Sequence, residues 1–148
     1  MTQEQKDLLL KDLSARLPYD VKVQYYDNET KKLEAGTIVS CTIPIDETNQ
    51  KYPTFITRRD LLIIQGNTIE NIKPYLFPLS SMTEEEMKEL LQISNFNSDI
   101  DEICDDFIIF IERSSIDIVD IANFISWLNA HHFDYRGLIP LGLAIDAT

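Results

Sequence analysis

Glycine and cysteine are scarce in this 148-residue chain: four glycines and two cysteines. So few glycines leave little material for a loop that cradles phosphate, and no glycine-rich phosphate loop, G-x-S-x-G elbow, H-E-x-x-H pair or kinase signature occurs. These absences weigh against the enzyme classes built on such motifs. Cys41 and Cys104 share no C-x-x-C spacing, so neither a zinc pair nor a redox motif is written here, and half-buried thiols in a reducing compartment are the expectation. No run of 18 or more apolar residues is present, and "MTQEQKDLLLKDLSARL" is a charged amphipathic stretch without the apolar core of a secretory signal. The reading is a soluble, cytoplasmic protein with no membrane partner.

Basic residues are also scarce, in one half only. From Met1 to Met82 there are 11 acids and 10 bases; from Thr83 to Thr148 there are 14 acids and 3 bases, which places almost all of the net charge of −12 in the second half. Such a surface repels a phosphate backbone, because nucleic-acid binding depends on Lys and Arg displacing condensed counterions. Direct nucleic-acid binding is therefore not expected, at least through that half. An acidic surface keeps a protein in solution, and it also suits docking on a basic partner.

What is present reads as an α+β fold: a small antiparallel sheet in the N-terminal half with flanking helices, and a helix-rich acidic C-terminal half. Residues 1–148 make one domain, with 73–82 as the place for any subdivision. Thr2 and Gln5 form a capping box, and Leu9, Leu10, Leu13 and Leu17 mark the buried stripe of a helix that Pro18 ends. "VKVQYYD" alternates as a half-buried strand, "DNET" turns, and "TIVSCTIPI" alternates through Val39, Cys41, Ile43 and Ile45, with Pro44 at an edge. A polar loop follows, then a third apolar strand in "DLLIIQGN". "NIKPYLFPLSS", with two prolines, reads as an ordered connector rather than a regular element.

Thr83 and Glu86 form a second capping box, with Met87, Leu90 and Leu91 facing inward. Ile100 to Ile111 is ambiguous between helix and strand, and a strand over Phe107 to Glu112 is preferred for its β-formers. Ser114 or Ser115 caps a last helix whose stripe Ile118, Ile121, Ile125 and Leu128 is expected to be buried, flanked by Trp127.

Three features invite a chemical reading. "NFNSDIDEICDD" puts Asn95, Asn97, Asp99, Asp101 and Asp106 in a calcium-loop frame, but Ile100 stands where the loop needs glycine and Asp106 where it needs a bidentate Glu. No metal and no cofactor are expected from it. A paired-carboxylate site cannot be singled out, since every acid has acidic neighbours.

"NAHHFDYRG", from Asn129 to Gly137, holds both histidines of the chain. His131 or His132 would need Asp134 and a distant acid to ligate a metal, because adjacent helical residues point about 100° apart. His132 with Asp134 or Tyr135 could relay a proton, though no activated nucleophile stands beside them. The plain alternative is a folded joint: Asn129 to His132 close the helix, Phe133 and Tyr135 pack back on the core, and Gly137 turns the chain. No catalytic residue is assigned; His132, Asp134, Tyr135 and Arg136 are the candidate binding residues.

"SWLNAHHFDYRGLIPLGLAID" resembles the C-terminal signature of a family of small uncharacterised proteins from gut Bacteroidetes and their phages and prophages. "RLPYDVKVQYYD" and "IKPYLFPLSSMTEEEMKEL" are similar to its other recurrent segments, while Pro140 and Leu141 depart from the charged pair expected there. The resemblance implies a bacterial or phage cytosolic setting and no particular chemistry. The expectation is a non-enzymatic accessory protein that binds another protein. The alternatives are a small enzyme or ligand-binding module using His131 to Arg136, and an acidic DNA mimic.

Overall fold

The computed structural model describes residues 1–27, 30–42, 54–59, 62–93 and 118–148. In chain order the elements are α1 (Gln3–Arg16), β1 (Lys22–Asp27), β2 (Lys32–Thr42), β3 (Thr54–Arg59), β4 (Leu62–Thr68), β5 (Ile72–Leu76), α2 (Glu84–Ile93), α3 (Ile118–Ala130) and β6 (Ile145–Asp146). Both capping boxes form. Thr2 Oγ1 accepts from the Gln5 amide at 3.2 Å while Gln5 Oε1 accepts from the Thr2 amide at 2.9 Å, and Thr83 and Glu86 repeat the exchange at 3.2 and 2.8 Å. Pro18 does not stop the chain dead; it sits in a short 3-10 turn, Leu17–Tyr19, that ends in Asp20 with a left-handed backbone.

The expectation of a small sheet confined to the N-terminal half is overturned. The described residues build one curled, mixed sheet of six strands in the order β4-β3-β2-β1-β5-β6. It spans most of the chain's length. β1 pairs antiparallel with both β2 and β5, and β6, from the C-terminal tail, joins β5 in parallel. Besides β6 in the tail, two of the strands come from segments read as irregular. β3 lies in the presumed polar loop, where Phe55 is fully buried and Thr57, also buried, accepts from Asn67 at 3.1 Å, so one apolar anchor and a satisfied polar pair hold a strand of modest hydrophobicity.

β5 is the proline-bearing connector. Pro74 stands opposite Val23, while the parallel ladder to β6 begins only at Tyr75, so the missing amide falls where the ladder is shortest. The prolines hid a strand with strict alternation: Ile72, Pro74 and Leu76 are buried, Lys73 is exposed and Tyr75 is half-buried.

β2 begins earlier than expected, at Lys32, and its inward face is not the one the alternation suggested. Ile38 is buried and Val39 exposed, and a bulge between Ile38 and Ser40 shifts the phase so that Cys41 turns back toward the core. Cys41 is a half-buried free thiol, and burial raises its pKa. Leu9 and Leu13 of α1 pack on Val23, Tyr25, Ile38, Phe55 and Ile72 to form the main core, closed at one end by Leu138, Leu143 and Ala144 of the tail.

A second core joins the helices: Leu90 of α2, Phe124, Trp127 and Leu128 of α3, and Phe133. The stripe expected on α3 is buried at Leu128 but not at its isoleucines. Ile118 is 82% exposed and Ile121 and Ile125 only half-buried, because the aromatic pair Phe124 and Trp127 bury more area than the isoleucines and set the helix's rotation. The calcium-like frame, Cys104, the strand expected over Phe107 to Glu112 and the Ser114 or Ser115 cap lie outside the described residues.

Candidate functional site

The segment from Asn129 to Gly137 begins as a helix stop. The His132 amide donates to Asn129 O at 3.2 Å and the Phe133 amide to Leu128 O at 3.0 Å, the paired bonds of a Schellman motif, with His132 in the left-handed position at φ +59°. Glycine is the usual occupant there, and its absence kept the motif from being read in the sequence. Phe133 then folds back on Leu128 and Trp127, the apolar contact that accompanies such a stop.

Beneath the stop lies a group that sequence reasoning missed. Asp12 and Arg16, one turn apart on α1, are fully buried and joined by two hydrogen bonds of 2.8 and 3.1 Å. The rest of the guanidinium reaches across to α3, donating to Leu128 O and Asn129 O at 3.4 Å each and to Phe133 O at 2.8 Å. Leu128 and Asn129 stand in the last turn of α3, where a cation is favoured at the carbonyl pole of the helix dipole. The signal was available: positions 9, 12, 13 and 16 share one helical face, so the charged pair is embedded in the leucine stripe.

Three of the four candidate residues are spent on this joint. Asp134 is buried and accepts from the Leu138 amide at 2.8 Å and the Ile139 amide at 2.7 Å, fixing the turn that leads the tail back into the core. The Tyr135 hydroxyl donates to Asn129 Oδ1 at 3.1 Å, and burial raises its pKa above the usual phenol value. Arg136 pairs with Asp12 at 3.3 Å and stacks over the Tyr135 ring at 4.8 Å. His131 stacks on Trp127 with centroids 3.8 Å apart, and Trp127 on Phe133 at 5.8 Å. Among the described residues no acid, base and nucleophile converge here. Among the described residues no group of three or more His, Cys, Asp or Glu is placed to hold a metal ion, and no helix is long and apolar enough to cross a membrane.

His132, of the four, lines a cleft among the described residues. It lines a depression of about 570 Å³ with Asp20, Lys22, Tyr75, Phe77 and Asp146, with Ala35 and the last residues completing the wall. Its Nδ1 is buried and has no hydrogen-bond partner among the described residues. Burial first, then the nearby Arg16 and His131, holds its pKa below the ordinary imidazole value, against a smaller opposing pull from Asp12. The ring is therefore neutral near pH 7. The Phe77 amide donates to His132 O at 3.0 Å and the Asp134 amide to Phe77 O at 2.8 Å, so the strand direction of β5 continues into the joint and fixes the cleft's rim. Compared with family models, with curated proteins and with solved structures, the chain matches none.

Proposed function

We propose that the protein works by binding another protein, in the bacterial and phage setting that its C-terminal segment suggests. The observation that carries this reading is the exposed acidic start of α2: Glu84, Glu85 and Glu89 project to solvent, while Glu86 is held by the Thr83 cap. The same reading is supported by the use of Asp134, Tyr135 and Arg136 as internal ties, which withdraws them from chemistry at the surface. Exposed charges steer a basic partner more than they hold it.

Affinity-tagged protein purified from its host at low salt is expected to bring down one stoichiometric partner that high salt releases. Replacing Glu84, Glu85 and Glu89 with Gln should slow association with that partner by about tenfold or less, with little change in dissociation. An unchanged association rate would remove α2 from the interface, and competition for the partner by duplex DNA would turn the reading toward DNA mimicry. A second reading, a ligand-binding module, is favoured by one observation: the cleft that His132 lines together with Lys22 and Tyr75.

A further inference from the structure

The outward positions of three neighbouring strands carry a charge pattern opposite to that of the chain. On the face turned away from α1, β1 presents Lys22, Gln24 and Tyr26, β2 presents Leu33, Ala35, Thr37 and Val39, and β5 presents Lys73 and Tyr75. Two bases and two tyrosines stand there, and no acid, in a chain with a net charge of −12. The cleft opens at one end of this face. Its volume of about 570 Å³ falls within the roughly 300 to 1,000 Å³ of small-molecule sites.

We propose that this cleft is a nucleotide site, in which a planar base stacks against Tyr75, Phe77 and His132 while its phosphate lies against Lys22 and, along the same face, Lys73. The inference rests on the ligand-binding reading above and names its ligand. Each wall suits one part of such a molecule. Tyr75, Phe77 and the imidazole supply the flat surfaces on which bases stack with little regard to sequence. Ala35, the small residue facing out of β2 at that point, leaves the room a ring needs.

Asp20 and Asp146 line the cleft, where carboxylates accept hydrogen bonds from the exocyclic amine of adenine, cytosine or guanine; uracil has no exocyclic amine. Lys22 supplies the one ammonium of the lining, and Gln24 on the same face donates to the Tyr75 hydroxyl at 3.4 Å, orienting it. The lining carries two carboxylates, Asp20 and Asp146, against the ammonium of Lys22, so the phosphate belongs on the Lys22 side, toward Lys73 and away from the acids.

The full chain titrated with AMP, CMP, GMP and UMP by calorimetry is expected to saturate with one of the amine-bearing nucleotides, with UMP weaker by about fivefold or more. Ala35→Leu, which fills the floor from an exposed position, should abolish that binding in a protein with unchanged circular dichroism. Lys22→Gln should weaken binding about tenfold and flatten its salt dependence by about one charge. A fluorescein-labelled single strand of RNA or DNA separates the sources. Binding much tighter than that of any mononucleotide, with a steep salt slope, assigns the site to nucleotides within a strand; equal or weaker binding assigns it to free nucleotides.

The proposal is overturned if no nucleotide or strand saturates, if Ala35→Leu leaves binding unchanged, or if a polyglutamate peptide competes as well as the nucleotides do. Native mass spectrometry of the protein purified from its host then distinguishes the two failures. A retained small molecule that is not a nucleotide, lost in Ala35→Leu, overturns the nucleotide while keeping a ligand site; an empty protein overturns both.

Discussion

Single residues at the C-terminal joint are used against their type. His132 occupies a left-handed position that an L side chain adopts at a cost, and buries one ring nitrogen without a partner among the described residues. Its pKa is depressed by that burial, so the unfolded chain, with an ordinary imidazole near 6.5, binds protons more readily than the native one. The sign follows: the contribution to stability is fully present above that value and is lost as pH falls below it toward the lowered native pKa. His132→Asn, whose side chain tolerates the left-handed region and does not titrate, should reduce the fall in unfolding free energy between neutral and mildly acidic pH relative to the parent. Urea unfolding at a series of pH values measures the two slopes. Equal slopes would mean that His132 is not the group responsible.

At the scale of elements, glycine decides how β2 lies in the sheet. Gly36 sits opposite Val23, and a Cβ there would stand 2.9 Å from Arg58 O on β3 and 3.2 Å from the Tyr25 ring. Backbone cannot yield as a side-chain tip can, so Gly36→Ala should cost about 1 to 3 kcal/mol, the range for overpacking a tight site. Denaturant midpoints check it; a neutral result would mean that the sheet uncurls locally at no cost.

Elements with strong periodicity or explicit caps were legible: both boxes, α1, β1 and the start of α2 lie where the pattern put them. Others were concealed by physical causes that a local pattern does not carry. The β2 bulge inverts the phase of Val39, a buried hydrogen bond stabilises Thr57 in β3, and Pro74 survives in β5 because β6 is only two residues long. The joint was legible in outline, as a helix end with Phe133 folding back, but its anchor on α1 lies more than a hundred residues away in sequence.

For the molecule as a whole, the buried Asp12–Arg16 pair is the bond between its first helix and its last. It is bidentate, it neutralises the carbonyl end of α3, and it fixes Arg136 and through it Tyr135. A buried ion pair contributes little beyond an apolar replacement, yet removal of one partner leaves a charge without compensation, at a cost of about 3 to 5 kcal/mol. Phe133→Ala opens a cavity in the second core, with a comparable cost of about 3 to 5 kcal/mol. The histidines are peripheral by contrast. His131→Ala together with His132→Ala should cost only about 1 kcal/mol, as ordinary substitutions do.

The central claim, that "NAHHFDYRG" is a joint tied to α1 and not a chemical centre, is tested most directly by equilibrium urea unfolding of Asp12→Ala, Phe133→Ala and the double histidine variant, followed through the single tryptophan. The expected result is an order of cost in which Asp12→Ala and Phe133→Ala each lose several times more stability than the histidine pair. A histidine double variant as unstable as either of the others, or an Asp12→Ala protein that unfolds like the parent, would contradict it.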